Sequence, residues 1–552
     1  MSLSASASPD RAPRAPANGG ALALAFALSL PALIPLIVVL SAVFHPETTV
    51  WTHLVNHVLP HVMGNTLILV VGVALCAGVL GTSLAWLTSM CEFPGRRFFE
   101  WALLLPLAMP AYVLAFIAVG FLDYAGPLQT WLRASFGSSA WFPPIRSSGG
   151  VILVLSLALY PYVYLLARSA FLTQGRRAQE AARTLGLGPT PAFWRVVLPM
   201  ARPWIAAGVA LVCMETLADF GAVSVFNYDT FTTAIYRAWF GMFSISAALE
   251  LAAVLLLFVI IVFVVERRSR ANTRFVSSRE MALHTPRLRL RGAPALLASL
   301  CAFAMFCTAF VLPLLQLITW SIVRAASDLD GRYLGFVANS LLLASSAVVT
   351  IVAVAVLLAY LQRRAPTKWM QGLIRVANVG YAVPGTVLAV GILVPVVMLN
   401  NVLQDSLRAW MGASAPALLL QGTLLTVLVA YFARFLAVGF HPIESGLHRI
   451  TPSVDEASIG LGVCGVDMLK RVHMPLLRTS LATAATLVFV DVMKEMPITL
   501  IARPFGWDTL AVRVFEMTAE GEWERAALPA LAIVLVSLFP TALLIRRGQY
   551  VA

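Results

Sequence analysis

Continuous apolar runs separated by short polar stretches fill this chain from about residue 21 to residue 546. Spans are expected near 21–44, 65–89, 99–121, 149–172, 202–224 and 245–265, and again near 293–322, 338–361, 370–398, 418–440, 477–500 and 526–545. A helix crosses the hydrocarbon core of a bilayer with roughly 20 apolar residues, and these runs are of that length. A membrane β-barrel would instead alternate polar and apolar positions over about ten residues per strand. The expected fold is therefore an all-α polytopic membrane protein with about twelve transmembrane helices. The expected segments are a tail over 1–20, a first half over 21–265, a linker over 266–292, a second half over 293–546 and a tail over 547–552. The run at 21–44 follows Arg11 and Arg14. It is longer than the roughly 7–15 residues of a signal-peptide core, so it reads as a retained span.

Two polar islands interrupt this pattern, and they repeat each other. The first is Glu180-Ala181-Ala182-Arg183-Thr184-Leu185-Gly186, leading to Val196-Val197-Leu198-Pro199. The second is Glu456-Ala457-Ser458-Ile459-Gly460-Leu461-Gly462, leading to Val472-His473-Met474-Pro475. From Glu180 to Glu456 is 276 residues, as it is from Gly186 to Gly462 and from Pro199 to Pro475; 276 is also half of 552. Six spans per half return the chain to its starting side, so the halves are expected to form a parallel repeat. Weaker echoes agree: Asn65-Thr66-Leu67 with Asn339-Ser340-Leu341, and Pro110 with Pro384. Each island reads as two short helices around a glycine turn. Gly tolerates positive φ and Pro blocks continuation of a helix. Thr190-Pro191 and Thr451-Pro452 supply helix starts. With bulky Phe193, Trp194 and Met468, each is shaped to be gripped by a partner, and the segments near 176–199 and 451–475 are its bounds.

Composition agrees with a membrane protein: 60% hydrophobic, 12% charged, mean hydropathy +0.85. A soluble domain is about 25% charged. The net charge of +13 would suggest nucleic acid in a soluble chain, but here it sits beside spans. The arginine pairs at 96–97, 176–177, 363–364 and 546–547 and the linker arginines fall on one side, and the acids Asp123, Asp229, Asp328, Asp330, Asp405, Asp508, Glu520, Glu522 and Glu524 on the other. The positive-inside rule then places both termini, the linker and both islands in the cytoplasm, with no nucleic-acid partner. Trp51, Trp131, Trp141, Trp320 and Trp410 fall near span ends as interfacial anchors. The six cysteines have no paired spacing and read as small apolar residues.

The pattern Glu-Ala-Ala, three residues, Gly, nine residues, an aliphatic, one residue, Leu-Pro resembles the cytoplasmic coupling motif of ABC-importer permeases. Val196, Val472, Ser458 and Met474 depart from that pattern without removing either Glu or Gly. The resemblance covers both halves and implies the type I importer permease fold. It implies that Glu180, Ala181, Ala182, Gly186, Glu456, Ala457 and Gly462 couple the permease to two copies of an ATPase subunit. It also implies a periplasmic binding protein on the other face of a bacterial inner membrane. A phosphate-binding loop needs Gly-Lys, and the only lysines, Lys368, Lys470 and Lys494, each follow another residue type. ATP and Mg are accordingly expected on the partner ATPase, with no cofactor and no catalysis on this chain.

Charges inside spans are costly and point to function. Glu215 and Asp219 lie in the fifth span; Asp491, Lys494 and Glu495 lie in the eleventh. From Glu215 to Asp491 is again 276 residues, as it is from Asp219 to Glu495. A spacing of i, i+4 puts both acids of a pair on one helix face. Two such helices would form an acidic vestibule suited to a hard cation, which prefers oxygen ligands. In the other reading Lys494 pairs with Asp491 or Glu495 and the acids only lock helices together. The segments around them, and Arg503-Pro504-Phe505-Gly506-Trp507-Asp508-Thr509-Leu510 with its echo at Asp229-Thr230-Phe231, resemble those of ferric-iron permeases, often two fused halves. Thiamine permeases share that layout and compete as a reading. A secondary transporter of the major facilitator type is the rival from another class; no nucleophile–base pair supports a membrane enzyme. His53, His57 and His61, with His45 nearby, fall at i, i+4, i+8 and are weak candidates for a metal, with Glu47 the one acid near them in sequence and Pro60 against a regular helix. Tyr160, Tyr162 and Tyr164 flank Pro161 and read as packing at a kink.

Overall fold

A computed structural model describes residues 19–44, 46–271, 287–411, 420 and 422–549. Arg11, Arg14, His45, most of the linker and the last residues lie outside them. Among the described residues ten helices are long and apolar enough to cross a membrane. An eleventh arises if Gly465–Leu476 and Arg478–Lys494, which meet at 79°, count as one bent span. Helix Trp523–Gln549 stands where the twelfth was expected. The protein is an all-α polytopic membrane protein, with one short parallel strand pair in which Cys91–Glu92 meets Leu288–Arg289 from the end of the linker.

The duplication is carried by the backbone as well as by the sequence. Arg176–Thr184 and Pro452–Gly460, Pro189–Ala192 and Gly465–Met468, and the π turns Phe193–Val197 and Leu469–His473 all recur at the same 276-residue offset. Helices Leu198–Ala218 and Arg478–Lys494 also end at equivalent positions. Each half has a core of three mutually packed helices: Leu59–Met90, Ser148–Ala170 and Leu198–Ala218 in the first, Gly331–Arg364, Leu424–Arg449 and Arg478–Lys494 in the second. The first helix of each half crosses to the other. Gly19–Ala42 packs on Lys368–Ala377, Gly385–Met411 and Leu424–Arg449. Ala293–Phe306 packs on Arg96–Ala102, and Leu312–Asp328 on Ala111–Leu122.

Four expected spans are broken. The third and ninth split at proline-bearing segments, Leu105–Ala108 to Pro110 and Asn378–Ala382 to Pro384. The fifth and eleventh stop at Ala218 and Lys494, and short helices Gly221–Val225 and Pro497–Ala502 follow. Hydropathy cannot register such breaks, because the residues on both sides stay apolar.

Close helix packing in the first core depends on glycine. A Cβ at Gly81 would lie 2.7 Å from the Val163 side chain and 2.8 Å from the Tyr160 carbonyl; one at Gly208 would lie 2.8 Å from the Val163 backbone. Small residues let backbones approach where no hydrophobic force separates helix from lipid. Gly81→Val is expected to destabilise the protein by about 1–3 kcal/mol through overpacking, read as a lowered thermal midpoint in detergent, whereas Gly64→Ala, with open space around it, should leave the midpoint unchanged.

Candidate functional site

The two broken helices meet at a cavity of about 190 Å³. Glu215, Asp219, Asp491, Lys494 and Glu495 all line it, as do Arg434, Tyr112, Tyr162 and Tyr381. The halves thus contribute two carboxylates each. Both cations come from the second half: positions 276 earlier than Arg434 and Lys494 are Ala158 and Ala218, and these alanines line the same cavity.

The expected i, i+4 sharing of a helix face does not occur, because Asp219 and Glu495 sit in extended backbone where the helix ends. Their carboxylates cap the helices that follow. Asp219 Oδ1 accepts from the Val223 N–H at 3.1 Å, and Glu495 accepts from the Ile498 N–H at 3.1 Å and the Thr499 N–H at 3.4 Å. Lys494 does not make the expected pair with either acid; its Nζ donates to the Leu107 carbonyl at 2.8 Å. That carbonyl belongs to the broken third span. Arg434 Nε and Nη1 and the Tyr112 hydroxyl find no hydrogen-bond partner among the described residues. Gly385 makes room here: a Cβ on it would lie 2.7 Å from both Arg434 Nη1 and Glu495 Oε1.

Sequence reasoning passed over Arg434, although a lone arginine inside an expected span was the signal for it. Of the three tyrosines around Pro161, two are packing residues: Tyr160 donates to the Leu103 carbonyl at 2.9 Å and Tyr164 to the Glu100 carbonyl at 3.0 Å. Tyr162 instead faces the cavity. Pro161 lies inside a helix that continues from Ser148 to Ala170. Another acid within a span, Glu250, accepts from the Glu47 N–H at 2.7 Å, away from the cavity lining.

At the other end of the same helices stand the two polar islands. Each is a helix, a glycine turn and a second helix, with Gly186 at φ 81° and Gly462 at φ 78°. Glu180, Ala181, Glu456 and Ala457 are exposed, while Ala182 and Ser458 are buried. Leu185 and Leu461, 81% and 83% exposed, are the apolar side chains each turn presents. Met468, expected to be presented, is buried, and Phe193 packs against Trp86 at 5.4 Å and Phe171 at 6.4 Å. Trp194 alone of the three bulky residues is exposed.

Residues 77–271 match the family described as "Binding-protein-dependent transport system inner membrane component". This region is an ABC-importer permease domain. It is 28% identical over 499 residues to the Fe(3+)-transport system permease protein FbpB 2 of Haemophilus influenzae, covering 87% of this chain and 89% of that one. Over 146 residues it is 30% identical to the molybdenum transport system permease protein ModB of Escherichia coli, covering 26% of this chain and 62% of that one. The sulfate transport system permease protein CysT of Escherichia coli is 31% identical over 146 residues, 26% of this chain and 51% of that one. The permease is accordingly a multi-pass inner-membrane protein, and its family implies an ATPase and a binding protein as partners.

The permease fastens its two elbows differently. The first is held by the aromatic contacts of Phe193. The second is held by polar groups: Arg363 Nε and His473 Nε2 each lie 2.8 Å from an Asp455 carboxylate oxygen, and the Tyr360 hydroxyl donates to the Gly465 carbonyl at 2.6 Å. Elsewhere the sequence echoes are brought together. Asn65 Nδ2 donates to the Asp229 carbonyl at 3.1 Å, and Asn339 Nδ2 donates to that of Asp508 at 3.0 Å. Of the weak metal candidates, His53 and His57 stack at 4.9 Å, and His61 lies 4.0 Å from Asp229, an acid distant in sequence. Among the described residues no three His, Cys, Asp or Glu side chains are grouped to hold a metal. Pro60 does not interrupt the helix; it occupies its first turn, after a π turn at Leu54–Val58.

Burial alone would raise the Asp455 pKa, but the hydrogen bonds from Arg363 and His473 hold it below the usual carboxylate range. A depressed carboxylate contributes stability above its unfolded value, about 3.9, and that contribution disappears as pH falls through the folded value. Asp455→Asn is expected to cost about 1 kcal/mol at neutral pH. It should speed amide hydrogen exchange over 452–473 and leave 176–197 unchanged. The difference from wild type should vanish in acid, below the folded Asp455 value.

Proposed function

We propose that this permease carries ferric iron, delivered by a periplasmic binding protein, across the inner membrane of a bacterium. The observation that carries this reading is the charge of the cavity: four carboxylates, Glu215, Asp219, Asp491 and Glu495, against the two cations Lys494 and Arg434. Four carboxyl groups against two cationic side chains disfavour sulfate and molybdate and offer the oxygen ligands that a hard cation prefers. The full-length likeness to a chain named for Fe(3+) transport supports the same cargo. Thiamine is also a cation, but the cavity of about 190 Å³ is smaller than the roughly 300–1,000 Å³ pockets that enclose organic ligands of drug size.

In the proposed cycle two ATPase copies grip the elbows at Glu180, Ala181, Ala182 and Gly186 and at Glu456, Ala457 and Gly462. Leu185 and Leu461 supply the apolar contact. The first elbow runs through a π turn directly into the helix that ends at the cavity. Helix Leu198–Ala218 has 21 residues and is about 31 Å long, so a displacement of that elbow is delivered as a rigid-body displacement of Glu215. In the second half the elbow reaches Arg478–Lys494, and Asp491 on it, across a 79° bend after Leu476. ATP binding closes the ATPase dimer and opens the cavity outward; hydrolysis resets it. Both termini and the linker lie on the elbow side, the cytoplasmic face.

The complete complex in vesicles is expected to accumulate labelled ferric iron when ATP is inside, and neither thiamine nor molybdate. Glu215→Gln and Asp491→Asn, which do not cap a helix, should each cut iron uptake by roughly tenfold or more, with assembly intact by size-exclusion chromatography. Thiamine or molybdate uptake without iron would overturn the cargo; undiminished iron uptake in both variants would leave these acids a structural role only.

A further inference from the structure

The cavity's cations are placed where the fold does not require them. The repeat builds equivalent helices in the first half with Ala158 and Ala218 at the same positions, both facing the same space. A cation inside a membrane protein is expensive unless it is used. Lys494 spends one hydrogen bond on the Leu107 carbonyl. Arg434 leaves Nε and Nη1 without hydrogen bonds, and Tyr112, 7% exposed, leaves its hydroxyl without one on the cavity wall. These are donors and a potential oxygen ligand that the described residues leave without a partner.

We propose that Lys494 and Arg434 are tethered counter-cations that keep the cavity a passage instead of a trap. This inference rests on the cation-import reading above. Carboxylates lining a passage with no opposing charge would hold a multivalent cation too tightly to release it. Conduction needs binding favourable enough to enter and weak enough to leave. Two fixed positive groups beside the carboxylates lower the affinity for cargo by like-charge repulsion. They also take over the carboxylates as cargo departs, so the empty cavity is not left with four uncompensated charges. Being covalently attached, they cannot follow the cargo out. The second half therefore supplies both the attraction and its limit, and the first half supplies attraction alone.

The test separates this role from a structural one by sign. Lys494→Gln keeps a donor for the Leu107 carbonyl and removes the charge; Lys494→Arg keeps both. The whole complex, permease with ATPase and binding protein, is placed in nanodiscs without ATP, and retained labelled ferric iron is titrated. In proteoliposomes with ATP, the maximal uptake rate is measured. Lys494→Gln should retain iron about tenfold more tightly, the change expected for loss of one close like charge, while its maximal uptake rate falls by a similar factor. Lys494→Arg should match wild type in both, and Arg434→Gln should shift both in the direction of Lys494→Gln. Weaker or unchanged retention in Lys494→Gln and in Arg434→Gln, whatever their uptake, would overturn the counter-cation role while leaving ferric import standing. A wild-type complex that neither retains nor transports iron would overturn the cargo reading, and this inference with it.

Discussion

A helix that restarts inside a hydrocarbon layer exposes the backbone N–H groups of its first turn where water cannot reach, and each needs a partner. Asp219 and Glu495 meet that need at the two places where this fold breaks a span. The cavity follows from this arrangement. Where helices Leu198–Ala218 and Arg478–Lys494 end, the chain turns aside into a short helix, and the space that a continuous helix would fill stays open. The capping acids are fixed by the backbone they serve. Glu215 and Asp491, one turn earlier, make no capping bond and line the open cavity.

Mechanical continuity follows from the same two helices. In the first half one helix joins the elbow to the cavity, and in the second the same path turns through a 79° bend before Arg478–Lys494. The glycine at positive φ in each elbow, Gly186 and Gly462, turns the chain sharply enough for Leu185 and Leu461 to stand clear of the surface. Burial of Ala182 and Ser458 behind the turn leaves Glu180 and Glu456 outside.

Duplication sets the framework, and departures from it set the polarity. Asn65 and Asn339 make the same hydrogen bond in each half. The elbow clasps do not match, one aromatic at Phe193 and one ionic at Asp455. The cavity walls do not match either, with Ala158 and Ala218 opposite Arg434 and Lys494. Two equal halves would make a symmetric passage. These replacements leave one wall with carboxylates alone and the other with carboxylates and cations.

The sequence by itself determined the membrane class, the helical fold, the repeat, the elbows and the cavity's four carboxylates. All of these rest on local composition or on a fixed offset, which a linear string preserves. Only the tertiary structure decided that Asp219 and Glu495 cap broken helices, that Lys494 turns to Leu107, and that Arg434, Tyr112, Tyr162 and Tyr381 join the same cavity. It also placed His61 beside Asp229 and buried Met468. Such facts depend on which backbone groups lose their partners and on which distant residues meet, and hydropathy is blind to both because the chain stays apolar on either side of every break.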